Sequence, residues 1–233
     1  YYKILFLIMS KTVVIHQPDF IPHAGFFQRF LSADIYLVLD HVQFVTGTSR
    51  SWTHRDKIRT SKGEQWLSIS LCKASMNTPI NEIEISYKVD WRLNNLRLIK
   101  ENYRKALFYE EIIPYIDKLY LKSNKMLLDF NLRSIRMLML LLNVERPIIL
   151  SSSLSPKGVK NELLLDLLCK VNATHYLSGV GAKDYLDELL FDKSNINLIW
   201  QDFKHPVYTQ QFNKFIPNLS VIDMLFNCGI EER

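Results

Sequence analysis

The sequence is short of the residues that staple small folds together. Its 233 residues include only three cysteines, Cys72, Cys169 and Cys228. They are odd in number and far apart, which excludes a disulfide framework and the common zinc and redox spacings. A reduced, cytoplasmic chain is expected. None of the three has a histidine beside it in sequence, so they are read as core or near-core residues and not as nucleophiles. The seven glycines form neither a P-loop nor a dinucleotide fingerprint, and no serine-hydrolase elbow is present. No apolar run approaches the roughly 20 residues of a spanning helix. The apolar start "ILFLIM", Ile4–Met9, lacks a cleavage site; it is read as an extra strand, or as an extended start ahead of an initiator at Met9. No membrane insertion is expected. Repeats and low-complexity tracts are also missing.

What remains is an ordinary globular composition. Hydrophobic residues make up 48% and charged residues 23%, enough apolar material for a full core without metal or disulfides. The net charge of +5 leans towards anionic partners. No second basic face recurs along the chain, so nucleic acid is not expected as a partner. Nothing in the sequence fixes an oligomeric state.

The run "TVVIH" reads as a buried strand, "GFFQRFLSAD" from Gly25 as a short helix and "DIYLVLD", Asp34–Asp40, as a second strand. Strand, helix and strand within about 30 residues make a βαβ unit, which implies parallel pairing. Gly47–Gly63 reads as a basic polar loop, followed by "EQWLSISLC" and "INEIEIS" as antiparallel strands. Helices fill about 91–143. Pro114 is placed in the first turn of a second helical region that runs on to about Asn143. "RPIILSSSL" and "THYLSG" read as strands around a helix capped by Ser155, with Pro156 at its first position. "LIWQDFKHPVYTQQF" supplies a last strand and loop, and "LSVIDMLFNCG" a closing helix. The expected fold is α/β: a Rossmann-like, mostly parallel sheet with an antiparallel extension and a helical insertion, in one domain over 1–233.

In such sheets ligands bind beyond the carboxyl ends of the strands. That edge carries His16, Gln17, Asp19 and His23 after the first strand, and Asp40, His41 and Gln43 after the second. Four of the six histidines lie between positions 16 and 54, with Asp19, Asp34 and Asp40 among them and Asp56 just beyond. A histidine beside a carboxylate is a natural proton carrier near neutral pH, so His16 is paired with Asp19 or Asp40, and His54 is a further catalytic candidate. The ordinary alternative is that His16 satisfies backbone groups and Asp19 caps a turn. His16, Asp19, His23, Asp40 and His41 are all ligand types, yet their spacing matches no metal motif, and no metal is assigned. "SRSWTHRDKIR" brings Arg50, Trp52, His54, Arg55, Lys57 and Arg59 together, a pattern that can stack a base on Trp52 and hold phosphates on Arg55 and Lys57. Ser178 and Gly179 end a strand with small residues able to approach a phosphate; Lys183 and Tyr208 are further candidate contacts.

These residues carry a resemblance. "IHQPDFIPHAGFFQRFLSADIYLVLDHVQF", "WTHRDKIRT…GEQWLSIS" and "FKHPVYTQQF…FIPNLSVIDMLFNCG" resemble the WbqC-like family over nearly the whole chain, Thr12 to Gly229. The family pattern falls on His16, Gln17, Pro18, Pro22, Gly25, Asp40, Gln43, Arg55, Ile58 and Trp66. This chain departs from it with Phe-Ile-Pro-His at 20–23, where many members have Tyr-Leu-Pro-Trp, and with Asp56 where many have Asn. The family's association with O-antigen and other surface-polysaccharide clusters implies a cytoplasmic step on a nucleotide-linked sugar. Three functions fit: acyl or aminoacyl transfer with His16 as base and Asp40 as its orienting partner; nucleotidylyl transfer; or non-catalytic binding of the nucleotide sugar. In the first, Gln17 and Gln43 hold substrate carbonyls or hydroxyls, and an acyl-CoA or other activated acyl donor is the co-substrate. No further cofactor is assigned.

Overall fold

A computed structural model of the chain describes residues 10–45 and 51–230. The Ile4–Met9 strand and Arg50 fall outside them. The main sheet has five parallel strands: β1 (Thr12–His16), β2 (Ile35–Val38), β5 (Ile148–Leu150), β6 (His175–Ser178) and β7 (Asn197–Trp200). Their spatial order is β5-β2-β1-β6-β7. A separate hairpin pairs β3 (Arg55–Thr60) with β4 (Gly63–Ser68), antiparallel. Helices α2 (Trp91–Tyr103), α3 (Tyr109–Leu121) and α4 (Leu127–Leu141) are inserted between this hairpin and β5.

The sheet is covered on both faces, and the period-two alternation of its strands says how. Val14, Tyr36, Val38 and Leu177 point into a core shared with α1 (Ala24–Leu31), α4 and α7 (Val221–Cys228). Val13, Ile15, Leu37 and Tyr176 point into the opposite core, with α5 (Lys160–Lys170) and α6 (Glu188–Lys193). On α1 the spacing of Phe26, Phe27 and Phe30 puts three nearly sealed rings against the sheet, each burial worth about 1.5–3 kcal/mol.

Several local expectations are corrected. The basic segment contains strand β3, because Asp56, Ile58 and Thr60 turn inward while the cations Arg55 and Lys57 alternate with them. "INEIEIS" is a 3-10 turn at Ile80–Glu82 joined to its neighbours by isolated bridges. The second helical region is two helices, broken at 122–126, and Pro114 sits six residues into α3 rather than in its first turn. Ser155 does not cap α5: it adopts a left-handed φ of 49°, Gly158 another positive φ, and the helix starts at Lys160. Cys72 and Cys169 are exposed.

Strand order fixes where a crevice must lie. The chain leaves β1 for β2 and β5 on one side, then returns to β6 and β7 on the other. The reversal between β1 and β6 is the topological switch point, where open α/β sheets bind ligands. The β1–β2 ladder runs as far as His16 and Val38, but the β1–β6 ladder pairs only Thr12 and Val13 with His175 and Tyr176. The two strands therefore part before their carboxyl ends.

Candidate functional site

Four side chains line this switch point: His16 at the end of β1, Asp19 and His23 in the loop after it, and Arg29 on α1. The His16 Nδ1 lies 2.9 Å from the Gln17 carbonyl oxygen. A carbonyl can only accept, so Nδ1 carries the proton and Nε2 keeps its lone pair. Asp19 Oδ2 lies 3.6 Å from the same Nδ1, and the Phe26 ring meets the imidazole edge-on at 5.3 Å. About a third of the His16 side chain is exposed. His23 has the opposite tautomer: it caps α1, its Nδ1 accepting from the Gly25 N–H at 3.1 Å, so Nε2 carries the proton. Gly25 is required for this fit, since a Cβ there would stand 2.7 Å from both His23 Cε1 and Phe203 Cδ1.

The loop is held under strain. Ile21, a β-branched residue, adopts a φ of 40°, a region such side chains avoid. Ser220 Oγ donates to the Ile21 carbonyl and the Val221 N–H to that of Pro22. From the other side, buried Asn131 of α4 donates to the carbonyls of both Pro18 and Thr53, and the Phe20 N–H donates to Trp52 O. The inserted helices and the closing helix thus clamp the β1 loop, which fits the usual pattern of strain being maintained by its surroundings at functional sites.

Charge in the crevice follows from burial. Desolvation, aided by nearby Arg29, lowers His16 to about 3 and His23 to about 4, so both are neutral at pH 7. Burial raises Asp19 to about 7, against the pull of Arg29. Asp56, almost sealed on β3, is raised well above the usual carboxylate range by burial, with Asp19 adding to the rise. The crevice therefore offers a free imidazole lone pair, an imidazole N–H donor, a carboxyl that titrates near neutrality and one buried guanidinium. Among the described residues, no group of three or more His, Cys, Asp or Glu side chains is arranged to hold a metal.

The other sequence candidates separate into three places. Gln17, Ser178 and Gly179 belong to the crevice: Thr53 Oγ1 donates to Gln17 Oε1 at 3.3 Å, and Gly179 lies against Arg29. Asp40 does not orient His16. At the end of β2 it turns towards β5, where Ser151 Oγ, Ser152 N–H and Ser152 Oγ donate to it. Burial opposes its charge, but these bonds outweigh burial and keep its carboxyl below the usual range. His41 joins the same cluster through Ser151. The carboxylate beside His16 is that of Asp19.

His54 Nδ1 lies 3.2 Å from Ser51 Oγ and its ring packs on Phe44. Gln43 donates to the Met76 carbonyl. On the outer face of the hairpin, Arg55 and Lys57 stand over the Trp66 ring at 4.4 and 4.8 Å, Trp52 packs on Trp66 at 5.5 Å, and Lys57 pairs with Glu64. Lys183 lies over Trp200. The Tyr208 hydroxyl donates to buried Asp223, which also accepts from Tyr103 and Gln210; this network fastens the C-terminal segment to the core.

Sequence reasoning missed Arg29, Gln201, Thr53 and Asn131. Arg29 had left a signal. It lies three residues beyond Phe26 on the same helical face, and a cation on an apolar stripe calls for a partner.

A family model described as the WbqC-like protein family matches residues 17–233. An uncharacterized protein of Mycobacterium tuberculosis is 31% identical over 224 residues, covering 95% of this chain and 95% of that protein. No solved structure matches. The family match begins one residue past His16 and takes in Gln17, Asp19, His23, Arg29 and Gly179: the chain belongs to the WbqC-like protein family.

Proposed function

We propose that the protein is a cytoplasmic group-transfer enzyme of surface-polysaccharide assembly, moving an acyl or aminoacyl group from an activated donor such as an acyl-CoA onto a nucleotide-linked sugar. His16 acts as the general base. Its Nε2 removes the proton from the sugar amine or hydroxyl as that group attacks the donor carbonyl, and the donor's leaving group departs with the displaced electron pair. The Gln17 carbonyl, not Asp40, orients the imidazole through Nδ1, and Asp19 beside it stabilises the imidazolium formed during the step. His23, with its proton on Nε2, is a hydrogen-bond donor in the same crevice.

The observation that supports this reading is the tautomer of His16. The backbone carbonyl of Gln17 fixes the proton on Nδ1, which leaves Nε2 unprotonated on a partly exposed ring at the switch point of the sheet. A histidine serving only to satisfy backbone groups has no need of a partly open position or of an adjacent carboxyl that titrates near pH 7. The test is mass-spectrometric detection of transfer from acyl-CoA and aminoacyl donors to a panel of nucleotide amino sugars. His16→Ala should lower turnover by roughly 10² to 10⁴, and near-normal turnover by that variant would remove His16 from the role.

A further inference from the structure

The crevice contains one group that the proton-transfer chemistry leaves unused. Arg29 is 6% exposed, yet its guanidinium makes no hydrogen bond among the described residues, and its Nε is fully buried with no partner. A buried arginine normally has its planar fork filled by a carboxylate or by carbonyls. Asp19 is near enough to influence Arg29 electrostatically but forms no ion pair with it within 4 Å. The Phe26 ring supports the guanidinium from beneath at 5.8 Å.

The far side of the guanidinium faces backbone. At Gly179, the first residue after β6, a Cβ would stand 3.1 Å from Arg29 Nη1 and 4.0 Å from Gln201 Oε1. Gln201 is itself fixed, its Nε2 donating to Gly25 O and to Gln28 Oε1. Two residues on, Gly181 is exposed, with nothing within 4 Å of the place a Cβ would take. A desolvated cation and a residue without a side chain thus meet where β1 and β6 part.

We propose that Arg29 is the anion anchor of the crevice, its guanidinium binding a phosphoryl group laid against the Gly179 backbone. The proposal deepens the group-transfer reading by locating the phosphate of the nucleotide-linked substrate. It moves that anchor away from Arg55 and Lys57, the positions the sequence pattern favoured, which are engaged on the outer face of the hairpin by Trp66. A phosphoryl group offers several oxygens in bidentate geometry to a guanidinium fork, and a dry site strengthens each of those bonds.

The test is isothermal titration of the full chain with pyrophosphate. Arg29→Gln should weaken binding by about tenfold or more, the loss expected for a charge-assisted contact, and Arg29→Lys should recover only part of it. Gly179→Ala leaves the charge untouched but puts a methyl group in the path, and should weaken binding as well; it keeps the test valid if Arg29→Gln does not fold. Arg55→Gln/Lys57→Gln should bind as the parent does. The proposal is overturned if both Arg29→Gln and Gly179→Ala bind normally, if the Arg55/Lys57 double variant loses binding instead, or if succinate binds more tightly than pyrophosphate through Arg29. Arg29-dependent binding without any turnover would uphold the anchor while refuting the transfer reading.

Discussion

Asp19→Asn should stabilise the protein, by an amount that grows as pH rises from about 4 to 7 and then levels off. The carboxyl is 8% exposed, and burial raises it from 3.8 to about 7. A carboxyl whose pKa is higher in the folded state holds its proton more tightly there. Stability is therefore greatest when Asp19 is protonated in both states, below about pH 4, and it declines as pH rises from 3.8 towards 7. Between pH 5 and pH 7 about one proton separates the two states, and each pH unit costs about 1.36 kcal/mol. The penalty thus grows by roughly 2–3 kcal/mol over that interval. Asparagine has the shape of the protonated acid and no charge to bury. Nor does the exchange break a hydrogen bond: the nearest partner of Asp19 among the described residues is His16 Nδ1, at 3.6 Å. His16 titrates in the opposite sense, losing stability as pH falls from 6.5 towards 3, but it does so in both proteins and cancels from the difference. The assay is urea denaturation of the parent and Asp19→Asn at pH 5 and pH 8. The variant's advantage should be larger at pH 8 by roughly 2–3 kcal/mol, while transfer activity falls. An advantage independent of pH, or a destabilised variant at pH 8, would refute the claim that Asp19 carries a buried charge in the native crevice.

Two further outcomes follow from the packing. Gly25→Ala should cost about 1–3 kcal/mol by overpacking, because the new methyl enters the 2.7 Å contacts with His23 and Phe203; the denaturation midpoint will show it, and an unchanged midpoint would mean that neither ring is held there. Tyr208→Phe should destabilise by about 1–3 kcal/mol through loss of one donor to the buried Asp223 carboxylate, while leaving the KM for a nucleotide sugar unchanged; a raised KM at parental stability would restore Tyr208 to the binding site.

The parallel sheet was legible because its strands state their burial locally. "TVVIH" is apolar on successive positions, as a strand covered on both faces must be, and β1 has the same bounds as that run. Strand β3 was not legible, because of its outward-facing positions only Arg55 and Lys57 show their character, and the third, Arg59, is a cation sealed at 5% exposure beneath Phe212. No local pattern announces that Arg59 Nη1 and Nη2 will find the carbonyls of Thr60 and Lys214. The candidate site divides in the same way. His16, Asp19 and His23 share a loop with β1, so a short stretch of sequence places them together. The choice between Asp19 and Asp40 depended on Ser151 and Ser152, more than 100 residues away, and sequence spacing could not make it.

The crevice gathers several costly terms: Ile21 in a left-handed conformation and, among the described residues, a carboxyl buried without a hydrogen-bonded partner and a guanidinium with no acceptor. Each costs on the order of 1–3 kcal/mol or more, against a net stability of about 5–15 kcal/mol for a domain. Such terms persist only where the surroundings leave no cheaper arrangement, and here the restraints can be named. Asn131 ties the loop to the segment leading into β3, Ser220 and Val221 tie it to the closing helix, and Gln201 ties the start of α1 to the end of β7. Relaxation by Arg29 towards Asp19 would require this loop to move, and α4, the segment before β3 and the start of the closing helix hold it in place. A ligand anion supplies the missing acceptor without moving anything, so binding energy is available where folding has left a buried cation without one.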